Sequence, residues 1–221
     1  MERAGPGVIE VHEQPFEIAP PAGQTLYFAT LIAGLEEIVV DELRERLPDA
    51  TFLGATRGKI FFSTVEPPGA PRDLLTIENL FAYINQFHDL PQTERGLEVI
   101  ERWMSGLDLQ GALEIHRRQH GDVRRPSFRI TAHRSGEHEY NSLEIAAAAG
   151  AGVVKRYGWE VDLEGYGYDV RVYVSDDSAV AGLRLTPEPL HQRSRVKHGA
   201  ASLNATVAAA MCRLTQPRAG Q

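Results

Sequence analysis

The stretch SFRITAHRSGEHEYNSLEIAAAAGAGVVKRYGWEVDLEGYGYDVRVYV, residues 127–174, decides the fold of the second half of the chain. It opens on a strand pattern over residues 127–136 and continues as an alanine-rich helix from Ser142 to about Tyr157. Residues 168–175 (YDVRVYVS) and 180–185 (VAGLRL) then alternate as two further strands. A strand, a helix and two strands are therefore expected in this order.

Two helical patterns precede this stretch. They are ERGLEVIERWM (94–104) and LDLQGALEIHRRQH (107–120), and the Ser-Gly pair between them predicts an α-hairpin. The order predicted for the second half is therefore α-α-β-α-β-β. The small side chains of AAAAGAG (146–152) are typical of a helix that packs closely on a sheet.

The first part of the chain has a different order. Residues 26–32 predict a strand, residues 35–47 a helix with one apolar face, and residues 51–53 and 59–64 two more strands. DLLTIENLFAYINQF (73–87) has apolar residues at helical spacing and predicts a second helix. This β-α-β-β-α order is that of a ferredoxin-like unit, so the predicted fold class is α+β.

The two ends of the chain lack such core patterns. Residues 1–24 are rich in Pro, Gly and Glu without periodicity and predict a flexible leader. Near the other end, two prolines predict an extended connector that carries basic side chains. These are Arg193, Arg195 and Lys197. A helix is expected from about Ser202, with Ser202 or Asn204 as its cap.

Composition excludes several classes of protein. The chain has 221 residues, of which 43% are hydrophobic and 24% charged, the balance of a folded globular protein. The single cysteine, Cys212, cannot form an internal disulfide. No apolar run approaches about 18 residues and no signal-peptide pattern is present, so we expect a cytoplasmic protein without a membrane partner.

The net charge of −7 is unevenly distributed, with −9 on residues 1–100 and +2 on residues 101–221. The densest basic segment, IHRRQHGDVRRPSFRITAHR (115–134), contains six arginines and one acid, Asp122. Guanidinium groups bind phosphate oxygens and stack on bases, so this segment fits an RNA backbone clamp. The alternative is a solvated surface whose arginines pair with acids of the first half. The sequence alone leaves both open.

Other features argue against catalysis and metal binding. His116 and His120 have the spacing of two ligands on one helix face, but the arginines Arg117 and Arg118 between them would repel a cation. The chain has no nucleophile elbow, phosphate-binding loop or dinucleotide-binding glycine motif. Two pairs of neighbouring acids are explained by a helix start and a β-turn. We therefore predict no catalytic and no metal-binding residue.

Several stretches together resemble a known family. FATLIAGLEEIVVDELRER, GKIFF and ENLFAYI are similar to the N-terminal ferredoxin-like domain of THUMP-containing RNA-modifying enzymes. Residues 127–174 with VAGLRL are similar to the THUMP domain itself. LHQRSRVKHGAASLNATVAAAMCRL (190–214) is similar to the connector into the methyltransferase domain of guanine-N2 methyltransferases that act on tRNA.

The resemblance implies four segments. Residues 1–24 form the leader, residues 25–92 the ferredoxin-like domain and residues 93–186 the THUMP domain, while residues 187–221 form a linker and first helix leading to a methyltransferase domain. The family's Asp-Pro-x-Cys-Gly-Ser-Gly-Thr loop for S-adenosylmethionine and its Asn- or Asp-Pro-Pro-Tyr/Phe catalytic motif do not occur in this sequence. We therefore expect the chain alone to be inactive and S-adenosylmethionine to belong to a catalytic domain outside it.

The resemblance also implies a partner and its contacts. The THUMP domain would hold the acceptor stem and 3′ end of tRNA, which makes this chain the tRNA-binding half of a methyltransferase. The residues expected to contact RNA are Arg117, Arg118, Arg124, Arg125, Arg129, Arg134, Ser135, His138, Tyr140, Arg193, Arg195 and Lys197. The alternatives are a stand-alone THUMP adaptor, the N-terminal part of a ribosomal RNA guanine-N2 methyltransferase, and an interaction module without RNA.

Overall fold

The structure is a computed structural model that describes residues 9–13, 16–67, 69–192 and 203–215. The strands in these residues are β1 (Val11–His12), β2 (Thr25–Thr30), β3 (Thr51–Thr56), β4 (Lys59–Thr64), β5 (Asn79–Phe87), β6 (Ser127–Ser135), β7 (Glu160–Val161), β8 (Tyr168–Ser175) and β9 (Ser178–Arg184). The α-helices are α1 (Glu36–Arg46), α2 (Arg95–Gly106), α3 (Gln110–His120), α4 (Ser142–Tyr157) and α5 (Ala205–Thr215). None of these helices has the length and apolar character needed to span a bilayer.

The chain divides into two compact units. The first comprises residues 1–81 and 185–221, and the second comprises residues 82–184. Strand β5 crosses the boundary, since its first three residues belong to the first unit and its other six to the second. Residues 185–192 and 203–215 group with the first unit, and the division of the chain into a linker and first helix from residue 187 stays a prediction.

Aromatic side chains fill the core of the first unit, whose strand order is β1-β3-β4-β2-β5. Strands β2 and β4 pair antiparallel with Tyr27 opposite Phe62, and both side chains are fully buried. Phe28 stacks on Phe81 with ring centroids 4.6 Å apart. Such pairs stabilise the sheet beyond the area they bury, so they help to fix its register.

Two acids of α1 are buried and hold loops of the first unit. Glu36 accepts hydrogen bonds from the backbone N–H groups of Gly34 and Gly58, both at 2.8 Å. Glu42 is fully buried and accepts hydrogen bonds from residues 75–76 at 2.6 to 2.9 Å. The start of a helix explains only part of the role of Glu36, because its carboxylate also fixes the β3–β4 turn.

The prediction of a second helix in this half, over residues 73–87, is wrong. Asn79–Phe87 is strand β5. Leu80, Phe81 and Ala82 are consecutive and all buried, which suits a strand covered on both faces and not one face of a helix. From β2 onward the observed order is therefore β-α-β-β-β, which follows the predicted ferredoxin-like order only as far as β4.

Part of the predicted flexible leader is packed on the first unit. Strand β1 pairs parallel with β3, and the ring of Phe16 meets Phe61 edge-on with centroids 5.5 Å apart. Gly54, at φ +155°, makes room for Phe16, because a Cβ there would overlap its ring. A two-residue strand leaves no periodic signal, so the sequence could not reveal this contact.

Helix α5 lies in the first unit. Asn204 Oδ1 accepts a hydrogen bond from the Thr206 backbone N–H at 2.8 Å, which confirms the predicted cap. Ser202, the other candidate, lies outside the described residues. Arg213 Nη2 donates to Glu45 Oε2 on α1 at 2.7 Å. The helix itself is confirmed, whereas its role as a connector stays a prediction.

The second unit has the predicted α-α-β-α-β-β order with the short strand β7 added. Its strand order is β5-β9-β8-β6-β7, with β6 parallel to β8 and β8 antiparallel to β9. The predicted bounds of α4 are confirmed, and the helix begins with a capping box of Asn141 and Glu144. Gly150 of this helix lies against Ile130 of β6, whereas Gly152 faces the backbone of α2. The small-residue run therefore serves a helix contact as well as a sheet contact.

Candidate RNA-binding surface

The basic segment predicted from the sequence does not form one site in the structure. It runs from the end of α3 through a loop and along β6. Strand β6 has nine residues, so its two ends are about 26 Å apart. The segment therefore separates into a pair on α3, a group at the amino end of β6 and a group at its carboxyl end.

The pair on α3, Arg117 and Arg118, shares one acid of the same helix. Arg117 Nε and Nη2 donate to the two carboxylate oxygens of Glu114 at 2.7 and 2.8 Å, and Arg118 Nε donates to Oε1 at 2.8 Å. The hydrogen bonds from Arg117 and then Arg118 lower the pKa of Glu114 to about 2. These two arginines therefore fit the alternative in which the basic segment pairs with surface acids. The acid that they pair with lies on their own helix and not in the first half of the chain.

His116 on the same helix is partly buried, with its ring centroid 5.1 Å from that of Tyr168. Burial, and next the charge of His120, lower the pKa of His116 to about 4. The unfolded chain keeps an ordinary histidine pKa of about 6.5. Between pH 6.5 and 4 the unfolded chain therefore binds a proton at His116 that the folded chain does not bind. Folding stability falls as the pH drops through this range.

We expect the NMR titration of His116 to have its midpoint near pH 4. Replacement His116→Gln should remove part of the stability loss between pH 6.5 and 4, because the glutamine has no proton to gain. Chemical denaturation across this pH range measures the effect. A His116 midpoint above pH 6 would contradict its burial.

At the amino end of β6, Arg124 and Arg125 lie in the loop that enters the strand. Both are exposed, and neither side chain forms an ion pair or hydrogen bond with another described residue. Val123 packs on Gly167, whose N–H donates to the Ser127 carbonyl oxygen at 3.0 Å. This anchor leaves two guanidinium charges facing solvent beside the sheet.

Arg129 is the third arginine at this end, and it is paired. Its Nη2 donates to Asp169 Oδ2 on β8 at 2.8 Å, and its guanidinium carbon lies 3.9 Å from the ring centroid of Tyr166. Burial raises the pKa of Asp169, but hydrogen bonds from Arg129 and then Arg171 outweigh it and lower this pKa below its ordinary value. Asp169 is therefore charged and holds the arginines.

Two arginines that the sequence analysis missed reach the same carboxylate. Arg171 Nε and Nη2 donate to Asp169 Oδ1 and Oδ2 at 3.0 and 2.9 Å, and Arg184 Nη1 lies 3.5 Å from Oδ2. The alternation in YDVRVYVS (168–175) already places Asp169 and Arg171 on one face of a strand. The pairing of three strands was needed to bring Arg129 and Arg184 to them.

Three expected contacts form a surface at the carboxyl end of β6. Arg134 is exposed and donates to a backbone carbonyl two residues further on at 3.0 Å. The hydroxyls of Ser135 and Ser175 are hydrogen-bonded at 2.6 Å, and His138 Nε2 lies 2.6 Å from a backbone carbonyl of the β8–β9 turn. These polar groups are positioned by local backbone contacts.

Tyr140, also expected to contact RNA, is interior. It is 2% exposed, and its hydroxyl donates to the Pro91 carbonyl oxygen at 2.9 Å. The expectation that Tyr140 lies on the surface is therefore corrected, because its side chain packs in the core. The remaining expected contacts, Arg193, Arg195 and Lys197, lie outside the described residues.

The second unit also carries a groove of about 520 Å³ between α4 and the β6–β7 edge. Its lining is apolar apart from Lys155, and it includes Phe128, Ile130 and Leu163. This groove does not fit S-adenosylmethionine, because it has no carboxylate for ribose hydroxyls and its lysine would repel the sulfonium charge. No three His, Cys, Asp or Glu side chains of the described residues lie together as a metal site.

Residues 109–183, from α3 into β9, match the family model for the THUMP domain. This chain contains a THUMP domain. A curated relative, the tRNA (guanine(6)-N2)-methyltransferase of Thermus thermophilus, is 29% identical over 87% of this chain and 54% of the relative. The tRNA (guanine(6)-N(2))-methyltransferase THUMP3 of Bos taurus is 22% identical over 86% of this chain and 55% of the relative.

A solved structure shows the same relationship. The crystal structure of TrmN from Thermus thermophilus superposes with a TM-score of 0.66 at 27% identity, covering 87% of this chain and 55% of that chain. The THUMP-domain protein is thus homologous to tRNA (guanine-N2)-methyltransferases over most of its residues. It spans about half the length of the curated relatives it matches.

Proposed function

We propose that this chain is the tRNA-binding half of a longer, cytoplasmic tRNA guanine-N2-methyltransferase. Two relatives with this activity in their names align with nearly all of it and extend for about the same length again. In this proposal the THUMP domain binds the acceptor stem and 3′ end of tRNA. A separate catalytic domain, outside the 221 residues of this chain, binds S-adenosylmethionine, which supplies the methyl group for guanine N2.

The observation that carries the proposal is the pair Arg124 and Arg125. Both guanidinium groups are exposed inside the THUMP match and have no partner among the described residues. Unneutralised arginines bind nucleic acid by displacing counterions from phosphates, which is the main source of affinity for an RNA backbone. Arg117 and Arg118 contribute less, because Glu114 already neutralises one of their two charges.

The first unit serves as a spacer in this proposal. Residues 1–81, the larger part of this unit, carry a net charge of −7, which disfavours their contact with a polyanion. Paired RNA is recognised largely by shape and backbone. Selection of one guanine then depends on the distance between the bound 3′ end and the catalytic domain, and the first unit sets part of that distance.

Removal of the two unpaired arginines tests the proposal. We expect the double variant Arg124→Ala, Arg125→Ala to bind tRNA about tenfold more weakly at about 0.1 M salt. The slope of log affinity against log salt should fall by about 1.5 to 2, since each lost phosphate contact releases about one counterion less. Fluorescence anisotropy over a salt series measures both quantities.

The double variant Arg102→Ala, Arg156→Ala is the matched control. It removes the same charge from exposed residues of α2 and α4, and we expect affinity to stay within about twofold. Equal losses in both double variants would reduce the interaction to general charge attraction. Unchanged binding in the first would contradict the proposal.

The identity of the RNA needs a separate comparison. We expect tRNA with an intact single-stranded 3′ end to bind more tightly than a blunt duplex of the same length. Equal affinity for the two would contradict recognition of the 3′ end. Tighter binding of a ribosomal RNA fragment than of tRNA would instead favour the alternative of a ribosomal RNA methyltransferase.

A further inference from the structure

The sheet of the second unit has a polar face to which strand β6 of the basic segment and strand β8 both contribute. Side chains alternate along β6 and β8, and the parallel register places like positions side by side. Successive rows on this face hold Arg129 with Asp169, Thr131 with Arg171, His133 with Tyr173, and Ser135 with Ser175. The opposite face, with Phe128 and Ile130, lines the groove beside α4. The polar rows are therefore turned away from that helix.

Positive charge exceeds negative charge at the start of this face. Asp169 binds both Arg129 and Arg171, and Arg184 approaches the same carboxylate. Even without Arg184, two guanidinium charges share one carboxylate charge. Burial, and next the charge of Arg171, lower the pKa of Arg184, as crowding of positive groups requires. The cluster therefore favours a further anion.

The cluster also has an unused donor that solvent does not reach. Arg129 Nε is buried and has no hydrogen-bond partner among the described residues. Because solvent does not reach this atom, a phosphate oxygen would contact the exposed parts of the Arg129 and Arg171 side chains and not Nε. The side chains of Arg129 and Arg171 are 26% and 14% exposed, which leaves both within reach of a ligand. Phosphate oxygens match the fork of donors on a guanidinium group.

An aromatic pair lies on the same face. The rings of His133 and Tyr173 stack with centroids 5.0 Å apart and planes 11° apart. Tyr173 follows Arg171 by two residues, so the pair is about 7 Å further along the strand. A cationic row beside aromatic rings is the combination that binds single-stranded nucleic acids without sequence preference.

We propose that this face binds one nucleotide of single-stranded RNA, with its phosphate on Arg129 and Arg171 and its base on the His133–Tyr173 pair. Asp169 holds the two guanidinium groups in place, and Arg184 adds positive charge beside them. The inference rests on the proposed function, because it names a second contact for the same RNA. It involves residues separate from Arg124 and Arg125, so the two can fail independently.

Inorganic phosphate is the first probe. At constant ionic strength, we expect phosphate but not chloride to shift the NMR signals of the Arg129 and Arg171 guanidinium groups in the full chain. Replacement Asp169→Asn should tighten phosphate binding about threefold or more, because the competing carboxylate charge is removed. Replacement Arg129→Lys should weaken it about fivefold, because a lysine keeps the charge but loses the fork. Arg129→Lys also decides the question if Asp169→Asn does not fold.

A short oligouridine is the second probe, and it separates a nucleotide from a free phosphate. We expect Tyr173→Ala to weaken oligouridine binding about tenfold, since stacking on one aromatic residue contributes on that scale. The same variant should leave the affinity for inorganic phosphate unchanged. A general loss of structure would lower both affinities together, so this difference identifies stacking.

Three results would overturn the inference. The first is a phosphate titration that leaves the arginine signals in place. The second is oligouridine binding that neither Arg129→Lys nor Tyr173→Ala changes. The third is an equal loss of phosphate and oligouridine binding in Tyr173→Ala. In each case the Arg124→Ala, Arg125→Ala experiment still decides the proposed function by itself.

Discussion

Replacement Gly152→Ala is expected to lower the free energy of unfolding by about 2–3 kcal/mol. A Cβ at this position would lie 2.5 Å from the carbonyl oxygen of Glu101 and 2.7 Å from Met104 Cβ, both on α2. Contacts this short force α2 and α4 apart, and the loss exceeds the gain of about 1 kcal/mol that alanine has over glycine in a helix. Urea unfolding of the full chain measures the difference.

Gly150→Ala in the same helix is the matched control. Its Cβ would lie 3.8 Å from Ile130 Cγ1, an ordinary van der Waals contact. We therefore expect this variant to gain up to about 1 kcal/mol from helix propensity. Two identical changes two residues apart should thus have opposite signs. Equal effects at both positions would show that α2 and α4 are not as close as the structure has them.

Replacement Glu42→Gln is expected to destabilise the first unit by about 3 kcal/mol. The carboxylate is fully buried and accepts hydrogen bonds from Leu75 N, Thr76 N and Thr76 Oγ1 at 2.8, 2.9 and 2.6 Å. Arg46 Nε also lies 2.8 Å from it. A glutamine turns an N–H₂ group towards one of these donors and removes the charge that Arg46 pairs with. Thermal and urea unfolding measure the loss.

Glu45→Gln, three residues further along α1, is the control for this change. Glu45 pairs with Arg213 at 2.7 Å, but its side chain is 45% exposed. Exposed ion pairs contribute little, so we expect a loss of at most about 0.5 kcal/mol. If Glu45→Gln destabilised the chain as much as Glu42→Gln, the burial of Glu42 would not be the cause.

Long periodic elements of this fold could be predicted from the sequence. The bounds of α4 and β8 are confirmed, because a continuous helical or alternating pattern defines each of them. The helix predicted over residues 73–87 is wrong, since the apolar residues at helical spacing there belong largely to strand β5. Its neighbours in the sheet decide its conformation, and local spacing does not contain that information.

The candidate site could be predicted only in part. Arg124 and Arg125 are exposed as expected. The run of arginines from residue 117 to residue 134 nevertheless separates in space, because β6 carries its two ends apart. Arg171 could have been found, because it follows Asp169 by two residues on β8, whereas Arg184 stands alone in β9. Strand pairing, which a single sequence does not specify, brings Arg129 and Arg184 to Asp169.

The second unit is one continuous stretch, residues 82–184, set between two parts of the first. The chain returns to the first unit beside the residues at which it left. Leu185 N donates to the Leu80 carbonyl oxygen at 2.9 Å, and Leu190 N donates to the Glu78 carbonyl oxygen at 2.7 Å. On the ribosome, the inner unit is therefore complete before the outer one has all its residues. Until residues 185 onward are synthesised, the core of the outer unit is partly uncovered. The outer unit is therefore the part most exposed to aggregation during synthesis.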